Sequence, residues 1–81
     1  MAKHKLKIWP DYLNLILKKE MQFEVRKNDR NFKVGDILIL QEWNPATEKY
    51  TGSQITREVT YILKQGNPFL ELGEFVIMSI R

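Results

Sequence analysis

Glu24 and Arg26 stand two residues apart in Gln22-Phe23-Glu24-Val25-Arg26, a stretch in which polar and apolar residues alternate. On a β-strand that spacing points both side chains to one face. A guanidinium presents a planar fork to a phosphate or a base edge, and a carboxylate accepts from an exocyclic amine such as that of cytosine. The run continues as Lys27-Asn28-Asp29-Arg30. In it Lys27 and Arg30 are phosphate candidates, while Asn28 and Asp29 are also ordinary turn formers whose side chains bond nearby backbone. Lys7 shares one side of an earlier alternating stretch with Lys3, Lys5 and Trp9, a cationic face with an aromatic ring on which a base can stack. Tyr50, beside Thr51-Gly52, can close over a ligand from a loop. Each feature has a plainer reading. Glu24 and Arg26 can be a solvated strand face whose ion pair is worth about 0–1 kcal/mol. Lysines on an edge strand can simply prevent pairing with other chains. Trp43 reads more simply as a core or rim residue.

Other chemistry is removed by count. There is no cysteine, so a disulfide framework, a thiolate metal site and a cysteine nucleophile are excluded, and His4 is the only histidine. No metal and no cofactor is expected. Ser79 has no base beside it in sequence and makes a poor nucleophile. The longest apolar run, Ile37-Leu38-Ile39-Leu40, is far short of the roughly 20 residues that span a bilayer, so a soluble, cytoplasmic protein with no membrane partner is expected.

The charge is uneven. The chain of 81 residues carries +3 overall, yet residues 1–33 hold nine Lys or Arg against four acids, whereas residues 34–81 hold four against six. A basic half on a small domain is the footprint of a protein that meets phosphates.

These residues need elements to hold them. Length predicts one domain, residues 1–81, and 43% hydrophobic residues suffice for its core. Lys3–Trp9 alternates as a first strand. Pro10 and Asp11 suit the first turn of a helix of about ten residues, with Tyr12, Leu13, Ile16 and Leu17 at helical spacing and Lys18 and Lys19 in the last turn. Gln22–Arg26 is a second strand with Phe23 and Val25 toward the core. Ile37–Trp43 is apolar on both faces, as a central strand is. Residues 44–52 form a loop of nine or ten residues, Ile55–Leu63 a long β-branched strand, 65–73 a turn-rich link with room for one helical turn, and Phe75–Ile80 the last strand. Five strands and one helix predict a mainly β domain, a small closed or nearly closed barrel with the helix over one opening.

The sequence resembles the ASCH (activating signal cointegrator homology) family, in particular a small single-domain branch of bacteria and phages. The resemblance rests on His4-x-Leu6-Lys7-Ile8, Phe23-Glu24-Val25-Arg26-Lys27-Asn28-Asp29-Arg30, Phe32-x-Val34-Gly35-Asp36, Glu42-Trp43, Tyr50-Thr51-Gly52, Val59 to Leu63 and Val76 to Ile80, nearly the whole chain. It implies a PUA-like β-barrel with a cleft between the first helix and the barrel, binding RNA or a nucleotide-like ligand. Carried over by position, the cleft residues are Lys7, Glu24, Arg26, Asn28, Asp29 and Arg30. Some members are amidohydrolases that remove an acyl group from a modified cytidine with a lysine, a threonine and a glutamate. Here the lysine position holds Met21 and the threonine position Glu24, which departs from that machinery.

Three functions follow as expectations. The first is a non-enzymatic RNA-binding or nucleotide-binding module in which Arg26→Ala weakens binding and leaves the fold intact. The second is a small hydrolase of acylated cytidines with Glu24 as general acid or base. The third is an accessory factor that binds a protein partner in transcription or RNA metabolism.

Overall fold

The computed structural model describes residues 1–81, and its elements follow in the order β1 (Lys3–Ile8), α1 (Pro10–Leu17), β2 (Phe23–Lys27), β3 (Ile37–Asn44), β4 (Lys49–Leu63) and β5 (Phe75–Ile80). The strands form one five-stranded sheet, β1-β3-β4-β5-β2, in which β1 runs parallel to β3 and every other pairing is antiparallel. Fifteen residues of β4 would measure about 50 Å if straight, but the longest dimension of the molecule is 38 Å. The strand therefore curls, pairing with β3 through its first part and with β5 through its second. This bend brings the two edge strands, β1 and β2, to the same side of the molecule.

The sheet is not closed into a barrel, which corrects the closed or nearly closed barrel read from the sequence. No ladder joins β1 to β2. Two guanidinium groups, that of Arg26 on β2 and that of Arg30 just beyond it, reach across to β1 instead. Arg26 Nη2 donates to the Lys7 carbonyl at 2.5 Å, and Arg30 Nη1 donates to the Lys5 carbonyl at 2.7 Å. Side chains thus lace a seam where strand pairing would have closed the barrel.

Leu6 and Ile8 of β1, Leu13 and Ile16 of α1, Leu38 and Leu40 of β3, Val59 of β4 and Val76, Met78 and Ile80 of β5 form the core, with Phe32 from the β2–β3 connection. The helix is shorter than the ten residues expected. It stops at Leu17 because Lys19 takes a left-handed backbone (φ 61°) and the amides of Glu20 and Met21 turn back onto the Leu15 carbonyl. Lys18 and Lys19 accordingly follow the last turn rather than lie within it. Residues 65–73 hold no helical turn. Gln65 and Asn67 side chains bond the backbone there, taking up the polar groups that a helix would have paired.

The loop expected at 44–52 is mostly strand, because β4 begins at Lys49 and only residues 45–48 turn between β3 and β4. Opposite Glu42 the β4 strand carries extra residues, a bulge between the Trp43–Tyr50 and Gln41–Gln54 pairs, and Gly52 accommodates it at φ +95°. The loop chemistry of Thr51-Gly52 is real, but it serves a bulge inside a strand.

The largest reversal is on β2. Phe23 and Val25, expected in the core, are about half exposed, and Glu24 is buried. Antiparallel pairing with β5 explains it, since Glu24 stands opposite Met78 and Arg26 opposite Val76, both fully buried, whereas Phe23 and Val25 stand opposite Ser79 and Ile77. Alternation identifies two faces but does not say which is inner.

Candidate functional site

At the top of the β1–β2 seam the chain leaves β1 through Trp9 and enters α1 at Pro10, whose fixed φ suits the first helical position. The start of α1 faces β2 across a cleft of about 480 Å³ lined by Lys7, Ile8, Trp9, Tyr12, Met21, Phe23, Glu24, Val25 and Arg26. The aromatic rings of Trp9 and Tyr12, 6.4 Å apart, are both about half exposed, as is Phe23. The walls are thus apolar and aromatic, and the polar groups are few.

Glu24 is only 3% exposed, and its Oε2 accepts from Arg26 Nε at 2.7 Å. Arg26 spends a second nitrogen on the Lys7 carbonyl, so one guanidinium holds the carboxylate and spans the seam. Its third nitrogen makes no hydrogen bond within the protein. Burial pushes the Glu24 carboxyl above its ordinary value of 4.5, while the charge and hydrogen bond of Arg26 pull the other way without cancelling the effect. A carboxyl of this kind, beside an open guanidinium nitrogen and between aromatic rings, can read a flat ligand by its edge and hold it by its faces.

Lys7 contributes its carbonyl to this cleft, but its ammonium lies over the Trp43 ring, 4.5 Å from the centroid, and 6.0 Å from that of Tyr50. Tyr50 stands on β4 opposite Trp43 and is 54% exposed. It is not a loop residue and does not line the cleft.

The remaining sequence candidates lie elsewhere. Lys27, Asn28 and Asp29 border a second, open hollow of about 410 Å³ with Lys64, Gln65, Gly73, Glu74, Phe75 and Val76. Lys27 pairs with Glu74 at 3.3 Å, and Asn28 Oδ1 accepts the Phe32 amide, so the turn-capping role falls to Asn28. Asp29 holds no arginine, and Arg30 caps the Lys5 carbonyl. Of the eight residues read as binding, Lys7, Glu24 and Arg26 come together. Lys27, Asn28 and Asp29 form a separate group, and Arg30 and Tyr50 stand apart from both.

Two features of the structure have no distinctive signature in the sequence. Tyr12 and Phe23 act as cleft walls, although their spacing matched a helix stripe and a strand core equally well. His4, noted in the sequence only as the single histidine, is held on β1 with its side chain 10% exposed. Its Nε2 lies 2.8 Å from Asp36 Oδ2, and its ring meets Phe32 edge-on. Asp36 also accepts the amides of Ala2 and Lys33. Burial works to raise its carboxyl, but these hydrogen bonds and the facing histidine outweigh it, leaving the group below its ordinary 3.8. The Val34-Gly35-Asp36 turn beside an alternating strand with one histidine was the available signal. No three His, Asp or Glu side chains converge as metal ligands, and no helix is long and apolar enough to cross a membrane.

The molecule is thus a mainly β domain whose open sheet carries an aromatic cleft with a buried carboxyl at its seam. Over residues 3–80 it matches the family described as a domain of unknown function, DUF3850, and it belongs to that family. It is also similar to the "Uncharacterized 12.9 kDa protein in GpA 3'region" of Escherichia phage P2, with 39% identity over 61 residues. The matched stretch is 74% of this chain and 54% of the phage protein, so the likeness spans about half the length of that relative.

Proposed function

We propose that the chain is an ASCH-type, PUA-like module that binds RNA or a nucleotide in the cytoplasm, using the cleft between α1 and β2. The observation that carries the reading is the pairing of a buried Glu24 with Arg26 inside a cleft walled by Trp9, Tyr12 and Phe23. A base stacks between the aromatic walls, donates from an exocyclic or ring N–H to Glu24, and accepts from the free Arg26 nitrogen. The excess of Lys and Arg in residues 1–33 favours approach of the attached phosphate.

Titration of the protein with the four nucleoside monophosphates and a short oligoribonucleotide at low salt, read by tryptophan fluorescence, tests this. Binding that weakens as salt rises, and that falls on Arg26→Ala, is expected. Absence of binding to all of them at low salt overturns it.

The raised Glu24 carboxyl favours one second reading, hydrolysis of an acylated cytidine with Glu24 as general acid or base. Met21 lines the same cleft where the resemblance implies a lysine, which leaves Glu24 without the amine that such members use. Incubation with acylated cytidines decides it: release of the free cytidine supports hydrolysis, and unchanged substrate removes it.

A further inference from the structure

The outward face of β1 carries a feature that the cleft does not use. Lys3, Lys5 and Lys7 are exposed, and their Cα partners across β3 and β4 run in rows: Lys3 with Ile37 and Glu58, Lys5 with Ile39 and Thr56, Lys7 with Gln41 and Gln54. Alternate residues of a strand are about 7 Å apart, so the three lysines leave the strand at intervals comparable to successive phosphates of an extended single strand. Glu58, the one acid in these rows, is engaged by Arg81 at 3.4 Å. Past Lys7 the same face continues to the Trp43–Tyr50 pair, with the Lys7 ammonium over Trp43 and Tyr50 half exposed. Glu42, next to Trp43 in sequence, accepts the Thr51 hydroxyl at 2.7 Å.

The lysines are not required to guard a bare edge, because Arg26 and Arg30 already occupy the carbonyls of Lys7 and Lys5. A row of lysines at alternate β1 positions, ending at an exposed aromatic and meeting the cleft at Lys7, is complementary to a polyanion with a base at each step. A mononucleotide has no use for more than one of them.

We propose that the ligand is a single-stranded nucleic acid, its backbone following Lys3, Lys5 and Lys7 along β1, with one base in the cleft and another stacked on Tyr50. This rests on the cleft being a nucleotide site, and the experiment separates the two. Fluorescence anisotropy of labelled hexauridylate, its hexathymidylate counterpart and a labelled uridine monophosphate is measured with the full chain over a range of salt.

The hexamers bind at least ten-fold more tightly than the monophosphate, and Tyr50→Ala reduces hexamer affinity about 5-fold to 150-fold, as the loss of one stacked base implies, while leaving the monophosphate unchanged. The Lys3→Gln, Lys5→Gln double variant lowers the slope of log affinity against log salt by about 1.4. Equal affinity for monophosphate and hexamer overturns the track and leaves the cleft standing. Hexamer binding that depends on Tyr50 but is indifferent to Arg26→Ala overturns the cleft and leaves the track standing. No binding of either probe overturns both. Comparison of the uridylate and thymidylate arms distinguishes RNA from DNA.

Discussion

Arg26 donates at once to the Glu24 carboxylate and to the Lys7 carbonyl, so one side chain holds the buried acid of the cleft and bridges the two edges of the open sheet. Structure and candidate function therefore share a residue. The sequence reading expects Arg26→Ala to leave the fold intact, and the bridge argues otherwise. Removing it leaves Glu24 buried without its cation and the Lys7 carbonyl without its donor. Loss of about 3 kcal/mol is expected in urea denaturation. Arg30→Ala, which releases only the exposed Lys5 carbonyl, should remove less than about 1 kcal/mol. Equal effects of the two would show that the seam, and not the buried acid, dominates.

Glu24 and Asp36 should give stability opposite pH dependences. The folded Glu24 carboxyl lies above 4.5, so its favourable contribution is complete below that pH and fades as pH rises through its folded value. Glu24→Gln keeps an acceptor for Arg26 but cannot ionise. The stability of this variant relative to the parent should therefore rise with pH above 4.5 and level off once the folded group has titrated. A pH-independent difference between the two proteins contradicts the shift.

Asp36 behaves in the reverse sense. Its folded value lies below 3.8, so its contribution is present above that pH and is lost as acid passes through the folded value. Asp36→Asn should remove this acid-side loss and lower stability at neutral pH by about 3 kcal/mol, because the group accepts from Ala2 and Lys33 amides and faces His4. Thermal unfolding of both proteins between pH 3 and pH 7 checks it, and an unchanged acid limb in the variant overturns the assignment.

Gly52 gives a test of the β4 bulge. Its φ of +95° is open to glycine, and a Cβ built there meets nothing within 4 Å, so Gly52→Ala costs backbone conformation and no packing. Loss of about 1 kcal/mol is expected from the unfolding midpoint. An increase in stability would place the bulge elsewhere.

Much of the architecture was legible because it is written in period. Lys3–Ile8, the apolar Ile37–Leu40 run and Phe75–Ile80 are strands by alternation or by continuous apolar character, and Pro10-Asp11 marks the helix start. What was hidden depended on partners distant in sequence. Whether Glu24 or Phe23 faces inward is decided by β5, some fifty residues away, because both registers alternate equally well. Thr51-Gly52 has the chemistry of a turn, and only the extra residues opposite Glu42 make it a strand bulge. The open seam was hidden for the same reason, since Arg26 and Arg30 serve as β1 caps only once β4 has curled.

The cleft is also the part of the site that the sequence described best and least completely. Lys7, Glu24 and Arg26 were named from spacing and resemblance, whereas the walls come from residues with ordinary packing signatures. Nothing in Tyr12 or Phe23 taken alone distinguishes a wall from a core.

The most direct measurement is a two-dimensional ¹H–¹⁵N NMR titration of the full chain with cytidine monophosphate and the other nucleoside monophosphates at low salt. Saturable shifts centred on Trp9, Tyr12 and Phe23 to Arg26, including the Arg26 Nε–H and Trp9 indole signals, are expected. Shifts confined to Lys27–Asp29 and the residues around Glu74, or a spectrum unmoved by any nucleotide, would contradict this expectation.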